Sequence, residues 1–242
     1  MNIKKLVLTL GVVTIAAVSA IALTTSSAYS LFGDATYVMP GNASTRAVQL
    51  VSDGSVASTP AAPYGGIDFA VPSTLTFAQI LTLSTDYMFT AGSCGAGSPR
   101  FQINVDGKNA FVYIGPPPEY AGCPLSAWAN TGNLATPTSI IDTSQLPGGN
   151  QYDTFAAADA RYGSMIVTGI QLVADAGWAF PSTGQTVQID NTQINDTLYT
   201  YEQPVAMNKN QCKNGGWTTL VDANGAPFKN QGNCIQYVNT GK

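Results

Sequence analysis

The dipeptide Asp106-Gly107, set between two runs of alternating polar and apolar residues, constrains this chain more than any other feature. Asp-Gly suits a two-residue type I′ turn, in which both central residues take positive φ. Such a turn sets the register of the hairpin it closes. Val105 then faces Lys108, Ile103 faces Ala110 and Phe101 faces Val112. Side chains alternate across a strand, so these residues share one face, and it is apolar except at the turn. The opposite face carries Arg100 with Tyr113, Gln102 with Phe111, and Asn104 with Asn109. One face is core. The other mixes amides, aromatic rings and a cation. A slip of one residue would exchange the two.

The same texture recurs along the chain. Runs rich in Val, Ile, Phe and Tyr fall at residues 35–39, 46–51, 66–71, 86–90, 100–105, 110–115, 165–174 and 186–194, separated by Gly, Pro, Asn or Asp. This pattern predicts an all-β, jelly-roll-like β-sandwich. The alanine run around Ala158, in residues 152–162, predicts one short helix, and 76–81 a helical turn. From about residue 205 the texture changes. Residues 206–214 and 228–239 read as two short helices, the first stopped by Gly215-Gly216. Gln231, Cys234, Ile235 and Val238 fall on one face of the second.

Residues 1–30 have the form of an export signal: Lys4 and Lys5, then 18 uncharged and mostly apolar residues (6–23), then a small polar stretch. Ala28 and Ser30 sit at the −3 and −1 positions of a cleavage before Leu31. An uncleaved membrane anchor is the alternative, because the run approaches the length of a bilayer span. The predicted organisation is therefore a signal peptide (1–30), a β-sandwich (31–203) and a small helical appendage (204–242), in a secreted protein.

Four cysteines follow the leader: Cys94, Cys123, Cys212 and Cys234. An even count in an exported chain points to two disulfides, and pairing neighbours gives Cys94–Cys123 and Cys212–Cys234. Zinc is a poor alternative, since no Cys-x-x-Cys pair and no histidine occurs. The second bridge would staple two helices too short to bury much core by themselves.

Three stretches resemble known groups of proteins. Cys212-Lys213-Asn214-Gly215-Gly216-Trp217, with Phe228-Lys229-Asn230-Gln231-Gly232-Asn233-Cys234 and Tyr237-Val238, resembles a C-terminal tail of many secreted bacterial proteins. That likeness implies export and the Cys212–Cys234 pairing, and no activity. Cys94-Gly95-Ala96-Gly97-Ser98-Pro99-Arg100-Phe101 and Asp175-Ala176-Gly177-Trp178 resemble secreted β-sandwich proteins. Asp190-Asn191 is similar to the last strand of galactose-binding-like and carbohydrate-binding modules, which implies a jelly roll more than a ligand.

Composition mainly excludes. Without histidine there is no Ser-His-Asp or Cys-His catalysis and no imidazole ligand. Charged residues make up 10% of the chain, and the net charge of −4 becomes −6 once Lys4 and Lys5 are removed with the leader. No basic patch suits nucleic acid or an anionic membrane. Glu119 and Glu202 are the only glutamates, and neither falls mid-strand in a cleft-like context. No cofactor is expected apart from one candidate structural calcium, held by Asp68, Asp190 and Asn191. Trp128 lies in a loop with Asn130, Thr131, Gly132 and Asn133 and is a candidate surface stacking residue. The sequons Asn42-Ala43-Ser44 and Asn195-Asp196-Thr197 matter only in a glycosylating cell.

The leading expectation is a secreted, non-catalytic module for neutral extracellular glycans, using Arg100, Gln102, Asn104, Phe111, Tyr113 and Trp128. A structural or surface-layer protein with protein partners is the second. An aspartate-dependent enzyme acting on glycans is the third. The oligomeric state is not legible in the sequence.

Overall fold

The computed structural model describes residues 24–25, 29–54, 63–116 and 120–242. In chain order the first strands are β1 (Thr24–Thr25), β2 (Tyr29–Gly33), β3 (Ala35–Val38), β4 (Ala47–Ser52) and β5 (Gly65–Phe69). They are followed by β6 (Leu83–Ala91), β7 (Arg100–Val105), β8 (Lys108–Tyr113), β9 (Ala129–Asn130), β10 (Ile140–Ile141) and β11 (Asp153–Thr154). Helix α1 (Phe155–Tyr162) leads to β12 (Val167–Ala174), β13 (Gln185–Ile194) and β14 (Thr197–Tyr199). The chain ends with α2 (Lys209–Cys212) and α3 (Gln231–Thr240).

Two sheets form a sandwich. One runs β2-β5-β12-β7-β8, with every neighbouring pair antiparallel. The other follows β1-β14-β13-β4-β3, with β6 on the far side of β13 and β9 beside β6. Their inner faces supply Leu50, Phe89, Val187 and Ile189 from one sheet and Ile67, Phe69, Phe101, Ile103, Ile170 and Leu172 from the other, all at most 1% exposed. This is the all-β sandwich that the strand pattern implies.

The Asp106-Gly107 hairpin has the expected register, with Val105 opposite Lys108 and Phe101 opposite Val112. Both turn residues take positive φ, 50° and 70°. Phe101, Ile103 and Val105 are buried, while Arg100, Gln102 and Asn104 stay partly exposed on the outer face. Two strands from the hairpin, on β5, Gly66 lies under the Phe32 ring, and a Cβ there would come within 2.2 Å of it.

Strand β13 explains the Asp190-Asn191 dipeptide. Its pairing with β6 shifts between Asp190 and Gln193, a bulge, and Asn191 takes φ 45°. Asn tolerates that conformation better than most residues. The bulge brings both side chains toward Asp86 on β6.

Both expected disulfides form, Cys94–Cys123 and Cys212–Cys234. Cys94 and Cys123 join the main core. Cys212 and Cys234 centre a separate small core with Ala206 and Leu220, flanked by Trp217, Phe228, Ile235, Tyr237 and Val238. The helices of the appendage are shorter than expected at their starts. Asn208 caps α2, its side chain accepting from the N–H groups of Asn210 and Gln211, so Ala206 and Met207 lie outside the helix. Asn230 caps α3 in the same way, which excludes Phe228. Glu202 ties this end to the sandwich by accepting from the backbone N–H groups of Thr45 and Arg46, each at 2.9 Å.

Among the described residues no helix is long and apolar enough to cross a membrane. Most of the expected leader, and Glu119, lie outside the described residues. Tyr29 and Ser30, at the end of the expected leader, are the first residues of β2, and the Tyr29 ring packs edge-on against Tyr199 and Tyr201.

Candidate functional site

The outer face of the five-stranded sheet gathers most of the residues that the hairpin pattern singles out. Strand register sets them in rows. One row runs Ser30, Asp68, Gln171, Gln102, Phe111. The next runs Phe32, Gly66, Val173, Arg100, Tyr113. A third brings Asn104 between Gly169 and Asn109.

Arg100 and Asp175 neutralise each other on this face, whereas Asp68, in the first row, stands exposed. Arg100 Nη1 donates to Gly97 O at 2.9 Å and to Asp175 Oδ1 at 2.7 Å. Its Nη2 donates to Asp175 Oδ2 at 2.6 Å and to Gln102 Oε1 at 3.2 Å. All four Nη hydrogens are therefore used, and only Nε lacks a partner. The guanidinium lies 4.8 Å from the centre of the Phe111 ring. A bidentate pair of this kind cancels its own charge.

The amides, in contrast, keep free donors. Gln102 Nε2 gives one hydrogen to Gln171 Oε1 at 3.3 Å, and among the described residues its second and both on Gln171 Nε2 have no partner. The Asn104 amide lies over Gly169 with no side-chain hydrogen bond among the described residues. Rings and uncommitted amide N–H groups thus stand side by side.

A wall closes one edge. Asp142 extends the sheet past β8 by bridging Phe111, and Tyr113 Oη donates to Asp142 Oδ2 at 2.6 Å. Burial pushes the Tyr113 hydroxyl well above its ordinary pKa, and the hydrogen bond to Asp142 adds to this, so it stays protonated. The Tyr113 ring sits 4.9 Å from Tyr120, and Tyr120 stacks on Tyr152 at 6.2 Å and 9°. Tyr152 is 58% exposed.

Asp153 holds this wall from behind. It accepts from Thr143, from Arg161 and from Asn150, clamping the turn between β10 and β11. Burial pushes its pKa up, but the hydrogen bonds from Thr143, Arg161 and Asn150 outweigh that, and its pKa lies below the usual carboxylate range. A carboxylate with a depressed folded pKa stabilises the fold above its unfolded pKa and loses that contribution as pH falls through the folded value. Asp153→Asn is therefore expected to be less stable than the wild type at neutral pH. Urea titrations between about pH 7 and pH 2 should show the gap closing below the ordinary aspartate pKa of about 4. A gap constant across that range would contradict the clamp.

The other candidate residues lie elsewhere. Trp128 precedes β9, at the edge of the seven-stranded sheet, and takes no part in the polar-aromatic face. Asp68 is on that face, one strand from Gln171, whereas Asp190 and Asn191 belong to the opposite sheet. The three expected calcium ligands do not converge. Asp190 meets Asp86 instead, across a network of amides. Ser44 Oγ and Asn42 N donate to Asp190 Oδ2, at 2.5 and 2.8 Å, and Asn191 N to its Oδ1 at 2.7 Å. Asp86 accepts from the amides of Asn42, Asn130 and Asn191. Burial raises the Asp190 pKa against those hydrogen bonds, and the charge of Asp86 acts in the same direction. Among the described residues no cluster of three or more His, Cys, Asp or Glu forms a metal site. Both sequon asparagines also act as braces: Asn42 Nδ2 binds Asp86, and Asn195 Nδ2 binds Gln79 O at 2.8 Å.

Sequence reasoning missed Gln171, Asp142 and Tyr152, and it read Asp175 as a turn or cap residue rather than as the partner of Arg100. Gln171 had a signal, a lone amide between Ile170 and Leu172 in a strand. The others reach the face only through tertiary packing.

The fold and face define a disulfide-bonded β-sandwich protein with one polar-aromatic sheet surface. No protein-family model and no curated protein matches the chain. Among solved structures it is similar to an exo-β-agarase, at 13% identity and a TM-score of 0.38, over 77% of this chain and 26% of that one. The chain thus spans about a quarter of that enzyme's length. It is also similar to the xyloglucanase domain of NopAA, a type three effector from Sinorhizobium fredii, in complex with cellobiose. The identity there is 14% and the TM-score 0.33, over 71% of this chain and 95% of that one.

Proposed function

We propose that the chain is an exported, non-catalytic module that binds neutral glycans on the outer face of the five-stranded sheet. One observation carries the reading: the cation of the face, Arg100, is neutralised by Asp175, while the amides of Gln102, Gln171 and Asn104 keep donors without a partner among the described residues beside Phe111. Sugar rings present C–H faces that pack on aromatic side chains, and hydroxyls that pair with amides. Asp142, bound by Tyr113, and Asp175, paired with Arg100, are each tied to a protein donor. That supports binding over bond cleavage. Export fits the two disulfides.

The test is affinity electrophoresis of the refolded, oxidised protein through gels containing neutral polysaccharides such as xyloglucan, agarose or hydroxyethyl cellulose. Retardation in at least one gel is expected, weakened about tenfold or more by Phe111→Ala, in keeping with a stacking contact near the centre of a site. Trp128→Ala should leave it unchanged. A folded protein that no neutral gel retards would overturn the reading and favour a protein partner for this face.

A further inference from the structure

Resting on that reading of the face, we infer that Asp175 determines its charge selectivity: the Asp175 carboxylate occupies the position on Arg100 that the carboxylate of an acidic sugar would take, and so confines the face to neutral glycans.

The argument is one of donors and seats. A guanidinium presents its Nη groups as a fork that matches a carboxylate in two parallel hydrogen bonds. On Arg100 that fork is filled by Asp175, at 2.7 and 2.6 Å. The two remaining Nη hydrogens go to Gly97 O and Gln102 Oε1, and Nε is buried without a partner. No Nη–H is left for an incoming anion. The seat is nevertheless accessible, because the Asp175 side chain is 32% exposed, against 15% for Arg100. A ligand lying along the face therefore approaches the Arg100 fork from the side that Asp175 blocks. Two further carboxylates border the surface, Asp68 in the Gln171 row and Asp142 beside Tyr113. With Arg100 neutralised they leave the face with acidic character and disfavour anions further.

Asp175 is held in place by contacts that do not depend on Arg100. Its backbone N–H donates to Ser98 Oγ at 3.0 Å, and Ser98 Oγ in turn bonds Gln185 Oε1 at 2.7 Å. Exchanging the side chain leaves that anchor intact. Arg100 keeps Gly97 and Gln102 as partners, so the fork stays where it is when the carboxylate goes.

The test follows the Arg100 side-chain signals by NMR while glucuronate, and separately glucose, is titrated into the refolded full chain. The sequence holds only Arg46, Arg100 and Arg161, which makes assignment tractable. In the wild type, glucuronate should move the Arg100 N–H signals no more than glucose does. In Asp175→Asn and in Asp175→Ser, glucuronate should produce a saturable shift, with an affinity about tenfold or more above that of the wild type, the scale expected for a charge-assisted bidentate contact. A wild-type fork that takes glucuronate as readily as the variants do would overturn the inference, as would folded variants that respond to neither sugar. The wild-type titration decides even where a variant misfolds, because saturable glucuronate binding there shows that the seat is open. Failure of the neutral gels would remove the glycan reading by itself, since this titration reads Arg100 directly.

Discussion

The double variant Cys212→Ala/Cys234→Ala is expected to lose its C-terminal appendage while keeping its sandwich. The bridge spans 22 residues, and cross-linking a loop of that size stabilises by about 3–4 kcal/mol in the chain-entropy model. The buried core it supports consists of Ala206, Leu220 and the two cysteines themselves, too little apolar area to hold some forty residues together without the bridge. The sandwich draws on a separate core and on its own bridge, Cys94–Cys123. Limited proteolysis read by mass spectrometry should therefore show new cuts confined to residues 204–242, with amide protection in β7, β12 and β13 unchanged. Continued protection of residues 204–242 would mean that docking on Thr45 and Arg46 through Glu202 suffices.

The second large effect separates the two faces of one strand. Phe101 and Gln102 are adjacent in β7. Phe101 is 0% exposed between the sheets, opposite Val112 and Leu172. Phe101→Ala removes a ring from a close-packed core and should cost about 3–5 kcal/mol in guanidinium unfolding. Gln102→Ala removes a partly exposed amide and should cost under about 1 kcal/mol. On the proposed reading it should weaken glycan retardation while leaving the unfolding midpoint nearly in place. Equal losses of stability at the two positions would mean that both faces of the sheet are buried.

The legible part of this molecule was the part written in local chemistry. Asp106-Gly107 specified a turn, the turn specified a register, and the register sorted Phe101, Ile103 and Val105 from Arg100, Gln102 and Asn104. Neighbouring cysteines paired as their spacing suggested. Where local signals conflicted, the finer one won. Asn208 and Asn230 are better helix caps than helix interiors, so α2 and α3 start later than apolar periodicity implied. The three residues expected to share a calcium ion lie apart for a different reason. Asp68 and Asp190 each lie next to apolar strand residues, but nothing along the chain says that they belong to opposite sheets.

By itself, then, the sequence determined the class of fold, the pairing of the cysteines and which side of the β7–β8 hairpin is core, because each follows from contacts within a few tens of residues. Only the tertiary structure decided what stands on the exposed side. Asp175 reaches Arg100 across 75 positions, Asp142 reaches Tyr113 across 29, and Asp86 meets Asn191 across 105. Such partners are selected by strand order and by the need of half-buried charges and hydroxyls for hydrogen bonds, and no periodicity records them.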